Sequence, residues 1–142
     1  MKDPYLKPVI FGGLFITILS LIFGLGIIIW SLIGGYITLR VANKITKEVV
    51  SLLDGLLLGI FSGIIGGTCL NILTFISFRT PDNQRLLIRI LEKNWPKEIT
   101  PPGNFHEILP SLFVTVCLFI IVITTAFSAL GAYIGIIVSK KK

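Results

Sequence analysis

Three stretches of this chain carry no charged side chain: Pro8 to Leu39, Gly55 to Phe78, and Ile108 to Ser139. Each is long enough to cross the hydrocarbon core of a bilayer, which takes about 20 apolar residues. Of the 142 residues only 14 % are charged, against roughly a quarter in an ordinary soluble domain. A soluble fold of this length could not cover that much apolar side chain. The composition therefore points to an integral membrane protein made of helices, because backbone polar groups in lipid have no partner outside the helix itself.

The first uncharged block requires a choice. Its 32 residues would make one helix about 48 Å long. Gly24-Leu25-Gly26 stands at its midpoint as a turn signal, whereas the third block has no Gly or Pro between Ser111 and Leu130. That contrast favours a break in the first block and one long helix in the third. Charge bias agrees. With four spans, Lys2, Lys7, Arg40, Lys44, Lys47, Lys140, Lys141 and Lys142 share one side, against Arg79, Arg85, Arg89, Lys93 and Lys97 on the other. The positive-inside rule then puts both termini in the cytoplasm. With three spans, residues 8–39 being one long helix, the bias nearly vanishes. The expected architecture is an all-α four-helix membrane bundle, residues 1–142 forming a single transmembrane domain. Its spans are expected near 8–23, 27–46, 50–78 and 109–139. Lys2 and Lys7 precede the first apolar run as in a signal peptide, but no small-residue cleavage site follows, so a retained span is expected.

Within the second block Gly55, Gly59, Gly63 and Gly67 recur at every fourth position, and Ser51 and Asn71 extend the row. In water each such glycine would weaken a helix by about 1 kcal/mol. In lipid the helix persists, and the row becomes a smooth groove for another helix. Such a glycine zipper serves either a dimer or the chain's own bundle. The last span offers a mate within the chain, with Ser128 and Ala132 four apart and Gly131 and Gly135 four apart. Gly12-Gly13 and Gly34-Gly35 add small surface to the first two helices. A compact intramolecular bundle is the expectation.

Residues 80–108 differ in kind. Thr80-Pro81-Asp82 reads as an N-cap, a first-turn proline and an acidic first turn. Leu86, Leu87, Ile90 and Leu91 then oppose Arg85, Arg89, Glu92 and Lys93. This is an amphipathic helix of about 13 residues, too short and too charged to span. It is expected to lie at the membrane interface, with Trp95, Arg85 and Arg89 as anchors; docking on a partner protein is the rival. Residues 97–110 read as a loop turning at Pro101-Pro102-Gly103, with Pro8 and Pro110 in the first turns of their helices.

Chemistry-bearing residues are few. Asp54 and Asn71 are the candidates for an intramembrane polar site. For Asp54 the plainer account is capping of its helix together with Ser51, and for Asn71 a hydrogen bond between helices. Thr74, Thr124 and Thr125 can bond their own backbone. Cys69 and Cys117 lie in apolar segments and read as small hydrophobes, and His106, the one histidine, as a solvated loop residue. No nucleophile motif, phosphate loop or metal-ligand spacing is present, so neither an enzyme nor a metal or cofactor is expected. The basic excess sits at segment ends, where it suits lipid headgroups rather than nucleic acid.

Taken in order, Gly12-Gly13, Trp30 before Gly34-Gly35, Asp54-Gly55, and Ser62-Gly63 before Gly66-Gly67 resemble a loose group of small, glycine-rich, uncharacterised integral membrane proteins of prokaryotes. The resemblance covers roughly residues 8–78. It implies a four-helix bundle and no known activity, and the charged insert at 79–108 departs from it. A structural or accessory membrane protein, or a subunit of a larger membrane complex, is the function this reading favours. A small oligomeric transporter, channel or holin-like pore former is the alternative. Partners would be the bilayer, other membrane subunits or a second copy.

Overall fold

The computed structural model describes residues 4–23, 26–97, 99–100 and 105–140, with nothing on the side chains of 105 and 140. The described residues form five helices and no strand: α1 (Leu6–Phe23), α2 (Ile27–Thr46), α3 (Leu52–Phe78), α4 (Pro81–Asn94) and α5 (Phe105–Lys140). The first uncharged block is thus two helices. Gly24 and Leu25 lie outside the described residues, as do Pro101-Pro102-Gly103, Lys2, Lys141 and Lys142.

Three helices are long and apolar enough to cross a membrane: Leu6–Phe23, Leu52–Phe78 and His106–Ser139. Their outer faces would rest on lipid. Leu53 is 70 % exposed, Ile22 65 % and Phe119 64 %, while the wholly buried positions include Thr38, Ser31, Ser62, Thr124, Ser128 and Ala132. Ile16, Leu39 and Ile136 are wholly buried too, but the many large apolar groups outside and the hydroxylated ones inside invert the usual soluble pattern. That inversion is expected when the solvent is itself apolar and helices associate by close packing.

α1 and α5 each pack against both α2 and α3. Where a side chain would fall gives the directions. Gly12 faces Ser62 and Gly66 faces Ile16, so α1 and α3 run parallel. Gly34 faces Ile16 and Gly12 faces Thr38, so α1 and α2 are antiparallel. Gly55 faces Ile136 and Gly67 faces Ile121, so α3 and α5 are antiparallel. The chain therefore passes back and forth, and the start of α1, the α2–α3 connection and the end of α5 share one end of the bundle.

The tightest joint is between α2 and α5. A Cβ on Gly35 would land on the Ser128 backbone carbonyl, and one on Gly131 on the Leu32 carbonyl. Two backbones in contact leave no room for any side chain. The α3 row is nearly as close: a Cβ on Gly63 would stand 2.5 Å from Thr125 Cα, and one on Gly59 2.8 Å from Ala132 Cβ. Ser128 and Ala132 thus meet the glycine row, whereas Gly131 and Gly135 face α2 at Leu32, Tyr36 and Leu39. A helix brings residues 128 and 132 onto one stripe and 131 and 135 onto the next, and α5 lies between two partners. Gly26 is close for another reason, because a Cβ there would meet the Trp30 indole, which stacks on Phe23 at 5.3 Å.

α5 begins at Phe105, four residues before the expected start, so Pro110 lies inside the helix and His106 in its first turn rather than in a loop. α3 and α5 are the long members. Thr17 of α1 bonds the Gly66 carbonyl, which sets Phe23 level with about residue 72. The last turns of α3 therefore overhang the α1–α2 hairpin by about 9 Å, and the first turns of α5 run beside them. α4 covers this overhang. Its start is tied down by Asn83 Nδ2 donating to the Ser77 carbonyl at 2.8 Å and Gln84 Nε2 donating to Phe78 at 3.1 Å. The Phe78 carbonyl is one that a helix end leaves without an intrahelical partner, and the Ser77 carbonyl also accepts from the Thr80 N–H at 3.2 Å.

Leucine at Gly63 or Gly131 would push against backbone rather than a movable side chain. Each should cost about 1–3 kcal/mol or more and lower the melting temperature in detergent, while Leu53→Ala on the outer face should shift stability by less than about 0.5 kcal/mol. Wild-type melting of Gly63→Leu would show that α3 and α5 are not in contact there.

Candidate functional site

Asp54 sits in the first turn of α3. Ser51 is the N-cap: its hydroxyl accepts from the Asp54 N–H at 3.2 Å and donates to the Asp54 carboxylate at 2.7 Å. The carboxylate also complements the positive end of the helix. Asp54 is exposed, at the mouth of a groove of about 350 Å³ between α1 and α3 lined by Tyr5, Val9, Leu57 and Phe61.

Asn71 is half-buried and reaches across to α5, its Nδ2 donating to the Cys117 carbonyl at 2.9 Å, while its Oδ1 is buried without a partner. It is 17 residues beyond Asp54, about 25 Å along the helix. The two polar residues therefore belong to different ends of α3 and form no joint site. Between them lie hydroxyls that mostly serve the backbone. Thr38 donates to the Gly34 carbonyl at 2.8 Å and lies 3.0 Å from the Ser62 hydroxyl, and Thr17 lies within reach of both Gly13 and Gly66 carbonyls. Thr74 and Thr124 bond carbonyls one turn back. Thr125 does not: its hydroxyl, like those of Ser20 and Ser128, is buried without a partner. Cys69 and Cys117 are free and half-buried.

α4 carries Arg85 and Arg89 on its exposed side. Trp95, half-buried, follows its last residue and donates its indole N–H to the Ile99 carbonyl at 3.0 Å. Leu87, Ile90 and Leu91 turn inward with Phe78, Leu109 and Phe113 around an apolar cavity of about 300 Å³. Phe113 is held between Phe75 and Phe78, with ring centroids 5.7 and 4.9 Å away.

One constellation was underweighted in the sequence. Arg40, Lys44 and Lys47 served there only as orientation charges. In the structure they line a cleft of about 480 Å³ with Asn43 and Ser139 where α2 turns into α3. The spacing of four and then three was the available signal. The meeting with the end of α5 was not legible, since residue 139 is almost a hundred positions away.

Comparison with family models, with curated proteins and with solved structures finds no match to this chain.

Replacing Asn71 by leucine removes one bond between helices but fills the same space. Its expected cost is about 0.6 kcal/mol and no more than about 1.7 kcal/mol, read by unfolding in detergent. A greater loss would show that Asn71 holds more than the Cys117 carbonyl.

Proposed function

We propose that this chain is a non-enzymatic, multi-pass membrane protein with a structural or accessory role, a subunit of a larger membrane complex built on a rigid bundle. The observation that carries the reading is the character of the interior. Among the described residues the buried polar side chains are serines and threonines, with no ionisable group. A transport path needs polar or ionisable groups arrayed along it, and the distance between Asp54 and Asn71 leaves none.

On this reading α2 is a fourth crossing. It carries Arg40 and Lys44 in its second half, but it lies alongside α1, α3 and α5, and its charges stay exposed where long side chains reach headgroups. The spans near 8–23, 27–46, 50–78 and 109–139 then join at the glycine zipper of α3. The short pair, α1 and α2, are about 27 and 30 Å long by helical rise, matching a hydrocarbon core of about 30 Å. α4 then lies at the interface, with Trp95, Arg85 and Arg89 in the headgroup layer. The eight basic residues on the side of the termini make that side cytoplasmic. The order of glycine pairs supports kinship with small glycine-rich membrane proteins of prokaryotes.

Reporter domains active only in the cytoplasm should function when fused at either terminus and fail when fused after Lys97. Liposomes holding the purified protein should leak ions no faster than empty ones, and purification in mild detergent should bring down a membrane partner in fixed ratio. Sustained leakage would replace this reading by the pore-forming one, and single-chain particles without a partner would remove the subunit role.

A further inference from the structure

The cleft at the α2–α3 corner has no part in holding the bundle's helices at their closest contacts. Arg40 and Lys44, four apart, share one side of α2, Lys47 stands just past its end, and all three are exposed. None of them forms an ion pair among the described residues. Glu48 is the one carboxylate lining the same cleft, so its formal charge is three positive less one negative, or +2. The Arg40 guanidinium is steered by the Tyr36 ring, 5.3 Å from its centroid.

The walls are built rather than incidental. Asn43 donates to the Ser139 hydroxyl at 3.2 Å and accepts from the Val50 N–H at 2.9 Å. One side chain therefore joins α2, the end of α5 and the connection to α3. Lys47 ends α2 at φ 59° and ψ 12°, the left-handed conformation that glycine adopts with least strain. It is the one non-glycine residue with positive φ among those described, and the charge stands where a glycine would suit the backbone better. Two of the residues lining the cleft are apolar and open: Val49 is 55 % exposed and Val138 39 %.

Cations over an apolar wall, at the end of a membrane bundle, suit a molecule with a negative head and hydrocarbon tails. We propose that this cleft binds the headgroup of an anionic phospholipid and prefers one with two negative charges, its acyl chains lying on the apolar wall. A phosphate ester takes the place of the missing carboxylates, and two charges balance the +2 of the cleft. The inference rests on the membrane reading above, whose failure would be seen separately, as protein that stays soluble without detergent.

The test is native mass spectrometry of the full-length, detergent-purified protein titrated with cardiolipin, phosphatidylglycerol or phosphatidylcholine, with inorganic phosphate as the lipid-free arm. Cardiolipin should be retained best, phosphatidylglycerol less and phosphatidylcholine least. Lys44→Gln should weaken cardiolipin retention about fivefold. Lys47→Gly should do the same while leaving the melting temperature equal or raised, a split that a merely structural lysine would not give. Lys93→Gln, at the other end of the bundle, should change nothing. Equal retention of phosphatidylcholine, or cardiolipin binding unchanged in Lys44→Gln and Lys47→Gly, would overturn the proposal. So would inorganic phosphate displacing cardiolipin at equal concentration, which would assign the cleft to a soluble anion.

Discussion

Everything in this structure depends on helices meeting backbone to backbone. At Gly35 and Gly131 the carbonyls of Ser128 and Leu32 occupy the space where a side chain would begin. In water a small-residue interface would be poor, because little apolar surface leaves the solvent. In lipid the hydrophobic term is nearly absent on both sides, and what remains is the number of atoms in contact. A helix surface without side chains lets two backbones approach and multiplies those contacts. The bundle is therefore organised by what its inner faces lack.

That single constraint explains the placement of polar groups as well. Once the helices are this close, several hydroxyls find carbonyls within reach on their own turn or on a neighbour, as Thr38 and Thr17 show, while those of Ser20, Thr125 and Ser128 find none. An ionisable group in the same position would have neither room nor solvation. Charge is accordingly displaced to the ends, where Asp54 joins the Ser51 cap of α3 and the cations of α2 meet the tip of α5.

The unequal helix lengths have their own consequence. α3 and α5 overrun the α1–α2 hairpin, and Phe75 and Phe78 meet Phe113 there. α4 lies over that overhang, with Leu87, Ile90 and Leu91 lining the cavity beneath it and Arg85 and Arg89 exposed. It is fastened by the two amide side chains that complete the end of α3. A short amphipathic helix with no buried residue of its own holds its place because its first turn is also the cap of a longer one.

By itself the sequence determined the helical class, the break between α1 and α2, the amphipathic character of α4 and the cap at Ser51-Asp54. These are local properties, set by uncharged length, glycine position, periodicity and side chains one turn apart. It also marked the glycines of the interior with Ser128 and Ala132, but not which faced which, and it passed over Thr17, Ser31, Thr38 and Ala42. Ser128 and Ala132 stood beside Gly131 and Gly135 as mates of the α3 row, and not all four could face it. The tertiary structure turned the two glycines toward α2 and gave the row Ser128 and Ala132, because a helix between two partners divides its small residues between two stripes. The unpaired Thr125 hydroxyl and the start of α5 ahead of Pro110 were likewise decided by neighbours rather than by propensity. Most plainly, no local pattern joins Asn43 to Ser139. The basic cleft exists only because α2 and α5 run parallel, which brings the end of the last helix beside the corner of the second.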